Sequence, residues 1–427
     1  MRGLTRRTVA DALGQRRVTQ PGIVVIGVAF VATLAGHFTL TRLGMSVPVL
    51  NDTRVLLFAA MLMAYALESK AAGPRPSNGA AARCLHPVLL LIGYQMLSAA
   101  WAPRGAIIND VISDLIAEVI LLGVYTGLAM WDSDRVVRVT MLCVYGAAWL
   151  YFLYAAAGLG HTASGRWAAF GGGPNVYVRV MALGILAAAY FYFRGGDRLI
   201  WLIGVPPFLI GALASGSRGG LVALGITTGV ALPRLSPFLC SRRLLKPVVA
   251  LTVLCASTWA IIGDTILALT QNRFFATTLQ QRYTSDRDVL YEKGVGLFFE
   301  QPVFGVGVHG FYAITNLGPG ERYVHNLPLA VAAEGGVVGL VLLLAAFYAL
   351  RREFARLPYH LRSLESRAAA YSGIYIGCAG LFSGDYYDAR LMWIFLLLAA
   401  VRPYRPAAAP PLPTGPPGKA TPVHPLP

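Results

Sequence analysis

The sequence predicts an all-α protein, a polytopic transmembrane helical bundle of about 12 spans with one large outward-facing loop containing short helices. Three observations carry that expectation. Charged residues are 13% of the 427, hydrophobic residues are 56%, and mean hydropathy is +0.59. A soluble domain carries about 25% charge, so most of this surface cannot face water. Apolar stretches approaching the ~20 residues that cross hydrocarbon recur along the chain. Lysine and arginine alternate in abundance between successive connections, which is the pattern that orients membrane helices. Together these argue against a soluble enzyme, a nucleic-acid-binding domain, a coiled coil or a disulfide-stapled secreted module.

The expected spans are 22–41, 55–67, 87–101, 111–130, 139–159, 176–193, 199–214, 219–232, 247–264, 327–350, 368–383 and 391–402. Several are shorter than a full crossing, so their ends must tilt, extend or snorkel. The weakest is 55–67, bounded by Arg54 and Glu68. With this set, 24 lysines and arginines fall on the side of the N-terminus and 11 on the other, with Arg179 inside a span. The richer side is expected to be cytoplasmic. The net charge of +16 is thus a topology signal that also suits anionic headgroups, and it gives no reason to expect nucleic acid.

Residues 1–21 are basic and run into a full-length span without a small-residue cleavage site, which reads as a retained cytoplasmic segment and not a signal peptide. Residues 22–264 hold the first nine spans, and 265–326 form the outer loop. Residues 327–402 hold the last three spans, and 403–427 form a Pro-rich tail expected to be disordered and cytoplasmic. The five cysteines map to spans or cytoplasmic loops, so no disulfide framework is implied.

Most connections are short, so the outer loop of about 60 residues stands apart, and long loops usually carry function. Within it, DRDVLYEKGVGLFFEQP is expected to be a surface helix whose apolar stripe is Val289, Leu290, Leu297 and Phe298. The GVGVHG turn that follows matches G-x-G-x-x-G at Gly305, Gly307 and Gly310. A dinucleotide site needs a preceding strand and a βαβ unit, and neither is expected here. A tight turn with close backbone approach is expected instead.

Four segments in order, GGGPNVYVR (171–179), SGSRGG (215–220), RYTSDRDVLYEKGVGLFFEQPVFGVGVHGF (282–311) and VHNLPLAVAAEGGVVGLVLLL (324–344), resemble the O-antigen ligase/polymerase superfamily. The likeness covers roughly 171–350, and the last helix after Asp388-Ala389-Arg390 also fits. The resemblance implies a bacterial membrane glycosyltransferase of the GT-C type in the cytoplasmic (inner) membrane, multi-pass, with both termini cytoplasmic. It would transfer a glycan from a polyprenyl-diphosphate carrier, on the outer face, to an acceptor hydroxyl of a lipid, glycan or protein. No cofactor and no metal are implied. The family's functional positions fall on Arg218, Arg287 and His325, with Arg282 competing for the second place.

The chemistry accounts for these residue types. The leaving group is a diphosphate, and arginine offers a planar, permanently charged fork that pairs with phosphate. Arg218 sits just before a helix whose amide-rich N-terminus also favours anions, with Ser215 and Ser217 as hydroxyl donors; its competing role is snorkelling to lipid phosphate. Histidine, with an ordinary pKa near ~6.5, suits His325 to accept a proton from the acceptor or to orient it. Asn326 is placed to cap the next helix. Glu334, an acid inside a span, is a substrate-binding candidate or a structural partner of an arginine. Arg179 is a second phosphate clamp or a snorkelling residue. Asp110, Asp114 and Glu118 share one helical face, which offers a base or an acceptor-sugar contact or, as the first expectation, lines a hydrated vestibule. His309, His325 and the loop acids lack the spacing of a metal site. A lipid-linked-glycan flippase and a non-catalytic assembly subunit are the competing classes. A transporter usually shows two matching halves, and no repeat is detectable here.

Overall fold

The computed structural model describes residues 21–34, 53–72, 79–196, 198–239, 287–317 and 323–401, plus scattered helical positions between 246 and 260. The described residues form an all-α protein of twelve α-helices. In chain order these are α1 (Ile23–Thr33), α2 (Thr53–Ala72), α3 (Gly79–Leu97), α4 (Ile108–Ala156), α5 (Pro174–Arg194), α6 (Val205–Ala214), α7 (Arg218–Leu239), α8 (Arg287–Glu300), α9 (Gly310–Thr315), α10 (Leu327–Ala355), α11 (Leu364–Ser383) and α12 (Arg390–Ala400). Most of the expected N-terminal segment, most of the span 247–264, the start of the large loop including Arg282, and the Pro-rich tail lie outside the described residues.

Among the described residues, four helices are long and apolar enough to cross a membrane: α3 with the turn after it, α4, α5 and α10. At 49 residues α4 is two helices end to end. Asp132 leaves helical geometry (φ −157°, ψ 90°), and its carboxylate accepts the Arg135 N–H at 2.9 Å. That is an N-cap restarting the helix, so the expected spans 111–130 and 139–159 meet at Asp132. The expected span 199–214 opens instead as a 3-10 turn, Leu199–Gly204, with an α-helix of 10 residues after it. Proline fits the first turn of a helix, where its missing N–H costs no hydrogen bond, and Pro206 and Pro207 stand at the start of α6. Buried α5 packs against α4, α6, α7 and α11, which places its first turn amid the ends of its neighbours.

The expected span 327–350 is interrupted. Gly336 adopts φ 61°, ψ −159° inside α10, and the chain after α8 fills the break. The Val337 and Val338 amides donate to the carbonyls of Pro302 and Val303 at 2.8 and 3.2 Å. In return the Val306 and Gly307 amides donate to the carbonyls of Ala333 and Glu334, both at 3.0 Å. The broken helix's freed backbone groups are thus satisfied by the loop, as irregular backbone at membrane depth requires. A Cβ on Gly305 would stand 2.3 Å from the Glu334 carbonyl carbon, and one on Gly336 would stand 2.4 Å from the Val303 oxygen. The glycines of GVGVHG therefore serve close backbone approach, as the sequence predicts.

On α8 the buried stripe is Leu290, Gly294 and Leu297, while Val289, part of the expected apolar stripe, is exposed. The helix lies against α10. A Cβ at Gly294 would approach Val324 and Leu329 to 3.1 and 3.2 Å, so contact across Gly294 sets the inward face.

Candidate functional site

Four segments converge where α5 and α10 begin and α11 ends. Proline is favoured in a helix's first turn, and α5 opens on Pro174 with Asn175 next. The Asn175 Nδ2 donates to Ser383 Oγ at 2.7 Å, while its Oδ1 accepts the Ser217 hydroxyl at 2.8 Å. One asparagine thus ties the start of α5 to the end of α11 and to the turn before α7. That turn is held by Ser215, whose Oγ accepts the Ser217 amide at 3.1 Å. Arg218 is the first residue of α7, and its neighbour Gly219 lies directly against Phe382. One turn along α5, Arg179 donates to the Ser383 carbonyl and lies 3.8 Å from Asp388 Oδ2.

The large loop returns to the bundle at the same place. Asn326 caps α10 by accepting the Leu329 amide at 3.0 Å, as expected, and its Nδ2 also donates to the Leu381 carbonyl at 3.0 Å. Immediately before it, His325 adopts φ 62°, a left-handed conformation uncommon outside glycine. The imidazole centre is 4.1 Å from the Tyr323 ring, which stands 6.4 Å from that of Tyr387.

Electrostatics give these groups defined states. Burial, then the Arg287 and Arg179 guanidinium groups, lower the His325 pKa to about 4, so the imidazole is neutral near pH 7. Burial pushes the Tyr323 hydroxyl up to about 12, keeping it a donor. Asp385 is driven well above the usual carboxylate range by burial and by the nearby Glu334 carboxyl. The arrangement is a neutral base beside a protonated phenol, within reach of two permanent cations. It can take a proton from a hydroxyl while an anion sits on the arginines.

The structure therefore brings Arg179, Arg287, His325, Asn326 and Ser217 into one neighbourhood and sets the backbone of Arg218 beside them. Arg282 lies outside the described residues. Glu334, expected as a substrate contact or as the structural partner of an arginine, is held by backbone amides and a tyrosine. Buried, it accepts the amides of His309 and Phe311 at 2.9 and 3.0 Å and the Tyr386 hydroxyl at 2.5 Å. It anchors the glycine turn to the loop after α11. His309, weighed beside His325 as a metal partner, instead accepts the Ile107 amide on Nδ1 at 3.1 Å. The acidic face of α4 is not a uniformly hydrated lining either: Asp110 is exposed, Asp114 pairs with Arg54 at 2.9 Å, and Glu118 is fully buried.

Sequence reasoning missed Tyr323, Ser383, Asp385 and the tyrosine pair Tyr386-Tyr387, and noted Asp388 and Arg390 only as part of the resemblance. A signal was present: GDYYDAR (384–390) packs two acids, an arginine and two tyrosines between apolar helices, where charge is costly without a task.

Among known families, residues 199–344 match the one described as O-antigen ligase. The match runs from the 3-10 turn before α6 into α10 and includes Ser217, Arg218, Arg287, His325, Asn326 and Glu334, so the resemblance read from the sequence holds there. Arg179, Ser383, Asp388 and Arg390 lie outside it. No curated protein matches the chain.

Proposed function

Starting from a chain similar over residues 199–344 to the O-antigen ligase family, we propose a membrane glycosyltransferase acting on the outer face of a bacterial cytoplasmic membrane. It moves a glycan from a polyprenyl-diphosphate carrier to an acceptor hydroxyl, in the manner of an O-antigen ligase or a surface-polysaccharide polymerase. The observation that supports this reading is the meeting of Asn326, next to His325, with Arg179 and the turn before Arg218 around Leu381 and Ser383 at the end of α11.

In the proposed step, the acceptor oxygen attacks the anomeric carbon and the glycosidic C–O bond to phosphate breaks. The bonding pair leaves with the diphosphate, and the acceptor's proton passes to the His325 imidazole. Arg287, with Arg179 and Arg218 at its sides, meets the charge that grows on the departing phosphate. Preorganised donors of this kind are worth about 2.7–4 kcal/mol each in an oxyanion site. Tyr323 orients the imidazole face, Ser217 and Asn175 hold the arginine-bearing turns together, and Asn326 fixes the start of α10. Glu334 positions the glycine turn.

The test is genetic and chemical. Deleting the gene and profiling lipid-linked glycans by mass spectrometry should reveal one accumulating polyprenyl-diphosphate species. The wild-type gene should clear it, while Arg287→Ala and His325→Ala should not. Clearance by both variants at the wild-type rate would sink the assignment.

A further inference from the structure

The end of the bundle opposite His325, where α7 and α10 finish and α11 begins, carries a second group of cations. On α7, Val222, Ile226 and Val230 are all exposed and stand four residues apart, so they follow one stripe along the helix. Exposed apolar side chains along the length of a bundle helix suit hydrocarbon, not water. The next position in the series is Arg234, also exposed, whose Nη1 reaches back to the Val230 carbonyl at 2.8 Å. A stripe that changes from valine to arginine within one turn marks the depth where acyl chains give way to headgroups.

At that depth Arg234 meets Arg367 of α11, the helix packed against α7. Their guanidinium carbons lie 5.5 and 5.3 Å from the centre of the same ring, Tyr359, in the 3-10 turn between α10 and α11. The Tyr359 and Tyr371 hydroxyls share a hydrogen bond at 2.8 Å, which fixes the ring. Two cations on one ring repel each other, and the ring's quadrupole offsets only part of that cost. The acids of this end are already engaged: Glu353 by Arg83 and Arg356, Glu365 by Arg194. Among the described residues neither Arg234 nor Arg367 has a carboxylate in ion-pair reach, and the Arg367 Nε is buried without a hydrogen-bond partner. A phosphate offers each planar fork two oxygens and the negative charge that the pair lacks. Because the apolar stripe runs straight into this pair, a single molecule bearing both a phosphodiester and acyl chains satisfies both features.

We propose that this end of α7 and α11 holds an anionic phospholipid, its phosphodiester on Arg234 and Arg367 beside Tyr359 and an acyl chain along Val222, Ile226 and Val230. Bound there, the lipid ties α7 to α11 at the end away from the candidate site. The proposal needs no transferase activity, and its test involves no sugar transfer.

The full chain, purified in a neutral detergent, is titrated with dioleoyl phosphatidylglycerol in mixed micelles, and bound lipid is counted by native mass spectrometry. Parallel arms use dioleoyl phosphatidylcholine and inorganic phosphate. The wild type should retain phosphatidylglycerol, and Arg234→Gln and Arg367→Gln should each weaken it about fivefold, the worth of one basic residue at an anionic membrane surface. Arg351→Gln removes an exposed cation from the last turns of α10 and should change nothing. Thermal unfolding of each lipid-free variant reports whether it folds. Should Arg367→Gln fail there, the exposed Arg234 carries the test. Equal retention of the two lipids by the wild type would overturn the anionic assignment. Inorganic phosphate bound as tightly as phosphatidylglycerol would overturn the lipid and leave a free-phosphate site. A loss in Arg351→Gln as large as in Arg234→Gln would also overturn the proposal, since the attraction would then belong to the basic face as a whole.

Discussion

The two ends of the bundle use arginine in opposite ways. At the end away from the site, carboxylates are the scarce partner and each gathers several cations. Glu353 takes Arg83 at 2.7 Å and Arg356 at 3.0 Å, while Glu365 takes Arg194 at 2.9 Å, Arg138 at 3.9 Å and the Tyr190 hydroxyl at 3.0 Å. At the site end, Arg179 and Arg390 share Asp388, and among the described residues Arg287 has no ion pair. Buried acids wrapped in arginine hold helices together. Arginines gathered around a carbonyl, an imidazole and one shared acid leave positive charge over, and a low-dielectric site retains such a surplus only where an anion visits.

That contrast predicts separable phenotypes, largest first. His325→Ala or Arg287→Ala should lower transfer by about 10²–10⁴-fold, the range for a lost general base or a preorganised donor. The melting temperature in detergent should move little, and a purified-protein assay with a lipid-linked donor reads both quantities. Gly305→Ala should instead hit stability, because its Cβ would meet the Glu334 backbone at 2.3 Å and its φ is 70°. A loss of more than about 3 kcal/mol is expected, in the upper tail for single substitutions, and an unchanged melting curve would mean the turn packs otherwise. At the far end, Glu365→Gln should cost on the order of 1 kcal/mol, since its arginine partners are 34% and 43% exposed and screened by water. Its turnover per folded molecule should stay at the wild-type value. A turnover loss matching His325→Ala would erase the distinction between the two ends.

The smallest effect is in pH. An unperturbed histidine base would make kcat/KM fall as pH drops through about 6.5. With the His325 pKa lowered to about 4, the neutral base persists and kcat/KM should stay level down to about pH 5. A bound diphosphate offsets Arg287 and Arg179, so the acid limb of kcat should sit at higher pH than that of kcat/KM. The sign for stability is the reverse of a salt-bridged histidine's. The unfolded chain gains a proton near 6.5 that the folded chain refuses until about 4, so His325 makes folding less favourable as pH falls through that window.

Local composition and spacing settled a good deal of this. Low charge with long apolar runs dictated helices, and eleven of the twelve expected spans correspond to helical segments among the described residues, two of them joined at Asp132. The glycines of GVGVHG announced close backbone approach, and Asn326 announced a cap, because cap and turn chemistry depend on neighbours in the chain. The order of SGSR, the α8 arginine and His-Asn pointed to segments that meet around the start of α5 and the end of α11. Long-range pairing was beyond such reasoning. Nothing local says that α10 breaks at Gly336 to admit residues 302–307, that Glu334 is claimed by Tyr386 and two amides, or that Asp388 lies between Arg179 and Arg390. Those facts depend on which helix ends meet. A buried carboxylate or guanidinium takes its role from partners on other elements, whose approach is decided by packing.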